Sequence, residues 1–462
     1  MDSMRFSARL SGSSAPRRPA RAAARGALAL LLVGALAGCD TLGLNKEKPA
    51  TPTVGNRSPI LSRIATEALV DPALAGTAIV LPAPVANPDW PQAGGNAAKA
   101  PGHLQLSATP TRAWTATIAG NSARRRLAAA PVVGGGGLFA VDTEGVIHAF
   151  DAATGARRWT NRVEVSRDLR AVTFGGGATY FDGRVYAAAG TGDVVALDAQ
   201  TGAEVWRVRP AGPLRGAPTV AYNSVYVMTQ DNQIFSLATA DGSIIWREAA
   251  ASGQSGVFGV AAPAAGQQTI ISGYSTGEVV AYRYENGQNL WSDALARTSI
   301  STEVGALTDV DADPIIDGGR VYALGQGGRM AAYELLNGQR VWELNLAGIS
   351  TPALAGDWLF TLTDDSRLLA IARSTGRIRW ITQLEHWRNP RTRTGPVFWT
   401  GPVLGSNRLW VASTRGEVQS IDVATGQATP LTRLGGSVSL APLIAGQTLY
   451  ILDDTGRITA WR

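Results

Sequence analysis

The run LTDVDADP, residues 307–314, places Asp309, Asp311 and Asp313 at alternate positions. Three chemistries use carboxylates spaced this way: calcium ligation, general acid–base catalysis, and charge recognition of a partner. Position by position the run matches ligands one, three and five of a calcium loop. The sixth position needs glycine for its sharp turn and holds Pro314; the twelfth needs a bidentate glutamate and holds Arg320. The calcium reading fails at both. A catalytic pair needs carboxylates in unlike surroundings within a cleft, and no neighbouring residue supplies one. The remaining reading is geometric. In an extended segment residues i and i+2 project to one side, so Asp309 and Asp311 form a single acidic spot.

Other reactive groups are few. The three histidines, His103, His148 and His386, are far apart in sequence and form no metal-ligand pair. His148 lies between Ile147 and Ala149 in an alternating stretch and reads as a strand histidine with a paired neighbour. The glycine run VVGGGGLF (132–139) lacks the lysine and helix of a phosphate loop, and reads as a turn between strands. No nucleophile elbow is present. Metal, cofactor and covalent chemistry therefore have no local motif.

The elements that carry these residues repeat. GVIHAFDAATGARRW ends at Trp159, GDVVALDAQTGAEVW at Trp206, NQIFSLATADGSIIW at Trp246 and GEVVAYRYENGQNLW at Trp291. GRMAAYELLNGQRVW ends at Trp342 and SRLLAIARSTGRIRW at Trp380; GEVQSIDVATGQATP keeps the frame without its tryptophan, and GRITAW begins it again. Each copy reads as two alternating strands joined by a Thr-Gly, Asp-Gly or Asn-Gly turn, with a second pair of strands upstream. From residue 111 there are 352 residues, or 44 for each of eight units. Four antiparallel strands at that period predict an all-β fold, an eight-bladed β-propeller. The eighth unit lacks its last strand, and TRAWTATIA, with Trp114 placed 45 residues before Trp159, is the spare that closes the ring. The seven tryptophans are expected to dock one blade on the next.

The N-terminal part is different. Residues 1–38 hold six arginines against Asp2, which accounts for five of the net +6 charge and leaves the rest near neutral. Nucleic-acid binding loses its support. The apolar GALALLLVGALAG (26–38) is too short for an ordinary span and reads as a secretory signal over 1–38, with either Met1 or Met4 as its start. It ends in Leu36-Ala37-Gly38-Cys39, which resembles a bacterial lipobox, and Cys39 is the only cysteine. The resemblance implies lipidation of Cys39 and a membrane anchor, with Asp40 matching an inner-membrane retention signal. Residues 39–89 are rich in Pro, Ala and Thr and are expected to be a flexible tether, reaching about 40 Å root-mean-square over fifty residues. The propeller is expected over 90–462.

The ALDAxTGxxxW units resemble the repeats of proteins related to pyrroloquinoline-quinone dehydrogenases, across the whole of 111–462. Within that superfamily the lipobox, the stretch NPDWPQAGGN (87–96) and LTDVDADPIIDGGRVYA ahead of blade five resemble the BamB family, lipoprotein subunits of outer-membrane β-barrel assembly. That resemblance implies a non-enzymatic protein without cofactor or metal, at the periplasmic side of the outer membrane. Its implied partner is the periplasmic repeats of BamA, with other assembly subunits and nascent outer-membrane proteins behind it. It further implies that Asp309 and Asp311 touch BamA, supported by Leu307. The family's second contact patch, Leu-x-Leu-Arg-Gly, aligns with SGVFGVAAP (255–263), where Phe258 replaces the arginine. Leu214-Arg215-Gly216 carries those letters one blade earlier, either as a shifted contact at Arg215 or as plain loop. Two alternatives stand beside this one: a quinone-dependent or other small-molecule enzyme using the central channel, and a scaffold for another envelope complex. A quinoprotein's vicinal disulfide cannot form from one cysteine.

Overall fold

A computed structural model describes residues 68–163, 176–250, 261–295 and 309–462. The chain forms eight four-stranded antiparallel sheets. Blade one shows the plan: inner strand Val132–Gly134, then Gly137–Val141, Val146–Asp151 and outer strand Arg157–Arg162. Blades two to seven follow at 176–208, 219–249, 264–294, 315–344, 353–383 and 399–433. Blade eight takes three strands from 443–461, and its outer strand is Arg112–Thr117, paired with Trp114 opposite Ala460 and Thr117 opposite Arg457. This is the expected closed ring, with the N-terminal strand completing the last blade. A short hairpin, Trp387–Asn389 with Thr394–Pro396, leads from blade six to blade seven.

The repeat's residues explain its geometry. The aspartate ending the third strand turns the chain: Asp151 Oδ1 accepts from the N–H groups of Ala153 and Thr154, and Gly155 follows with φ 74°. Glycine suits that left-handed position. It also leaves room, since a Cβ on Gly155 would lie 2.5 Å from the Trp114 ring. The same contact recurs at Gly202 on Trp159, Gly242 on Trp206, Gly287 on Trp246, Gly338 on Trp291, Gly376 on Trp342 and Gly426 on Trp380. Each indole N–H donates to a carbonyl of the next blade, as from Trp291 to Leu335 at 2.7 Å and from Trp380 to Val423 at 2.9 Å. Opposite each tryptophan of blades one to six stands Ala or Ser, as in Ala281↔Trp291, beside a bulge in the third strand. The tryptophans thus dock blades, as their period implied.

Apolar side chains fill the spaces between neighbouring sheets. One cluster joins blades one and two through Val132, Ile147, Val185 and Leu197; another joins blades six and seven through Phe360, Leu368, Leu409 and Ile421. The glycine run at 134–137 is the hairpin turn between the first two strands of blade one, with Gly135 and Gly136 at positive φ.

Residues 87–105 cross one end of the central channel. Trp90 exchanges hydrogen bonds with Val133 of blade one, Pro91 accepts from Tyr180 of blade two, and Gln92 brackets Val220 of blade three. Ala97 and Ala98 accept from Ala265 and Ile316 of blades four and five, Leu104 bonds Leu404 and Ser406 of blade seven, and Asn87 holds Ile444 and Gly446 of blade eight. Part of the stretch expected to be a tether is described and is held by hydrogen bonds. Asp71 N–H donates to Ile378, Arg379 to the Thr77 carbonyl, and Val85 pairs with Leu104, so residues 68–89 also lie against the blades. Proline and alanine concealed this from periodicity, because the strap bonds through its backbone.

Candidate functional site: a charged cluster at the channel

Arg215 sits in the loop leading into blade three. Its N–H donates to Met228 and its carbonyl accepts from Gly176, which fixes the loop between blades two and three. Asp309 to Asp313 lead into blade five. Val310 N–H donates to Tyr274 of blade four, the Asp309 carbonyl accepts from Gln326, and Val310 fills the space that a side chain on Gly273 would need. Both loops are thus held by backbone bonds before any side chain acts.

Their side chains then meet. Arg215 Nη2 donates to Asp309 Oδ1 at 2.8 Å and lies 3.6 Å from Asp311 Oδ1. The Arg215 and Asp309 side chains are each 1% exposed and that of Asp311 is 11% exposed. Burial, then the Asp309 carboxylate, push Asp311 up to about 7, with Arg215 pulling the other way. One guanidinium faces two carboxylates, and the cluster is electrically balanced when Asp311 carries its proton.

Two further charged side chains, Lys99 and Asp313, are buried nearby. Lys99, from the strap, donates from Nζ to the Ala93 carbonyl at 2.9 Å and to Thr219 Oγ1 at 3.0 Å. Burial lowers it to about 8, against the pull of Asp313. Asp313 accepts from Ala262 N–H at 2.7 Å, and burial raises its pKa while Lys99 opposes. Asp311, Lys99 and Asp313 border a cavity of about 550 Å³ whose other walls are largely apolar, including Trp90, Leu127, Phe398, Trp399 and Leu440.

The alternation argument put Asp309 and Asp311 on one side, and they do share one, both facing Arg215. The expectation of an exposed acidic spot needs correction for Asp309, which is buried against a cation. Asp311 alone keeps part of its carboxylate open. Arg215, read as either contact or loop, is the partner of these aspartates across 94 residues of sequence. No local signal could have joined them. Leu307, Cys39 and Phe258 lie outside the described residues.

The three histidines are all engaged. His148 Nε2 pairs with Asp142 at 2.7 Å; His103 bonds the Pro82 carbonyl through Nδ1 and accepts Asn407 N–H at Nε2; His386 Nδ1 meets Ser366 Oγ. Among the described residues no group of three His, Cys, Asp or Glu is arranged to hold a metal. The Arg215 guanidinium stands against Asp309 and Asp311, where a calcium would need to stand. These residues do not fit the calcium-bound quinone of a quinoprotein.

The family model described as "Outer membrane protein assembly factor BamB" matches residues 104–173 and 143–382, more than half of the chain. The chain belongs to the BamB family. Outer membrane protein assembly factor BamB of Escherichia coli (strain K12) is 26% identical over 356 residues, covering 76% of this chain and 88% of that protein. The Moranella endobia factor of the same name is 24% identical, over 71% of this chain and 84% of its own length. Among solved structures, BamB from Moraxella catarrhalis superposes with a TM-score of 0.66 at 21% identity, covering 76% of this chain and 99% of that one. Quinohemoprotein alcohol dehydrogenase from Comamonas testosteroni gives 0.63 at 16% identity, covering 81% and 80%. Both likenesses speak for the shared propeller.

Proposed function

We propose that this chain is a non-enzymatic subunit of outer-membrane β-barrel assembly. Cys39 would anchor it to the outer membrane from the periplasmic side, and its partner would be the periplasmic region of BamA. The family match over the blades supports the process. The site reading rests on one observation, the ion pair between Arg215 and Asp309. It ties the loops before blades three and five into one rigid face and leaves Asp311 at its edge. In this reading Asp311 touches the partner, with Leu307 beside it, while Arg215 and Asp309 are positioning residues. A charge held this way steers encounter and fixes register.

Deleting the chain should lower the amount of folded, heat-modifiable outer-membrane barrels, and re-expression should restore it. Cys39→Ser should leave the protein out of the membrane fraction. Unchanged barrel levels in the deletion would contradict the assignment. The enzyme alternative finds no support in the cluster, where the Arg215 guanidinium is already paired with Asp309.

A further inference from the structure

A second polar recess lies on the rim of blade seven. It is enclosed by the turn at 414–416, the loop at 433–437 after the outer strand, and Arg388 of the hairpin between blades six and seven. Its volume is about 280 Å³, and Arg388, Arg415 and Arg433 line it with Thr414, Ser437 and two glycines. A fourth cation is near: Arg457 Nη1 lies 3.7 Å from where a Cβ on Gly435 would be.

Charge pairing separates these arginines. Arg415 is held by Glu385 at 2.5 Å, with Glu417 at 3.9 Å. Asp453 stands behind Gly436, and its Oδ1 is taken by the N–H groups of Thr455 and Arg457. Arg388, Arg433 and Arg457 form no ion pair among the described residues. Blade two supplies the comparison. The strand pairing of Val194 with Val208 corresponds to that of Val418 with Thr432, so Arg209 and Asp193 hold the positions of Arg433 and Glu417. In blade two the arginine is locked on Asp193 at 2.6 Å. In blade seven the acid lies beside Arg415, and Arg433 is free for an outside anion.

We propose that this recess binds a phosphate ester. Guanidinium groups from three separate segments converge on it, which suits an anion with several equivalent oxygens and bidentate pairing. The volume is far above the ~30 Å³ of one water, so it holds the esterified group as well as the phosphate. The phosphate can come from a soluble ester or from a phosphorylated lipid headgroup.

The test is calorimetric titration of the full chain in detergent with glycerol 3-phosphate, at constant ionic strength, alongside melting in micelles with and without phosphatidic acid. The parent is expected to show saturable binding or a raised melting midpoint. Saturation by the soluble ester identifies the first source; a response to phosphatidic acid alone identifies the second. Arg388→Gln/Arg433→Gln should weaken the response at least tenfold, with circular dichroism unchanged because both side chains are exposed. Arg209→Gln should leave the response intact. The proposal is overturned by no response in either arm, by an equal response in the double variant, or by acetate binding as well as the ester.

Discussion

Two parts of the ring are held by opposite means. At seven blade interfaces an indole packs on a glycine turn and donates one hydrogen bond, using apolar area and a repeated backbone geometry. At the channel, Arg215 and Asp309 join two loops through buried charge. The tryptophan docks are modular, and each stabilises its own interface. The charged cluster couples blades two to five and keeps a titratable carboxylate at its edge. The interface between blades seven and eight completes the comparison. The tryptophan position of blade seven is Pro430, and the third and outer strands of blade eight come from 457–461 and 112–117, so no turn joins them for an indole to cover.

Removing one buried charge should have the largest effect. Arg215→Met should cost about 3–5 kcal/mol in chemical denaturation, because Asp309 is left buried and unpaired. Arg215→Met/Asp309→Leu should recover most of that loss; a double variant as unstable as the two singles combined would break the ion-pair account. Trp291→Ala should cost about 3 kcal/mol or more, as for other buried tryptophans. A loss as large from the exposed Leu336 would blur the contrast.

A smaller effect comes from pH. Asp311 has its pKa raised by folding, so the stability it contributes is full below about pH 4 and is lost as pH rises through about 7. Melting of Asp311→Asn should lack that part of the decline. Some slope remains, since burial also raises Asp313, Asp364 and Asp454. The smallest effect is expected for Pro430→Trp, within about 0.5 kcal/mol, because blade eight offers no turn to dock on. A clear gain would show that this interface accepts a tryptophan after all.

The fold was legible because each blade repeats the same physical solution. The Gly-x-x-x-Trp run shared by blades one to six encodes a left-handed glycine at the turn and an interface indole, and Trp114 betrayed the closing strand by its spacing. The cluster was half legible. Alternation put Asp309 and Asp311 on one side, but burial depends on Arg215, which sequence places 94 residues away. The strap from 68 to 105 was read only in part. Its backbone hydrogen bonds to the inner strands leave no mark in side-chain pattern, and Lys99 gave no hint that it would be buried at the channel.

The central claim is that Asp311, held by Arg215 and Asp309, contacts the assembly partner. The direct measurement is the affinity of the full chain for the periplasmic region of the same organism's BamA at pH 8, where the Asp311 carboxylate is largely ionised, for the parent and for Asp311→Asn. The account predicts at least tenfold weaker binding by Asp311→Asn, about 1.4 kcal/mol, with the fold intact by circular dichroism and melting. Equal affinity in the two proteins would contradict it.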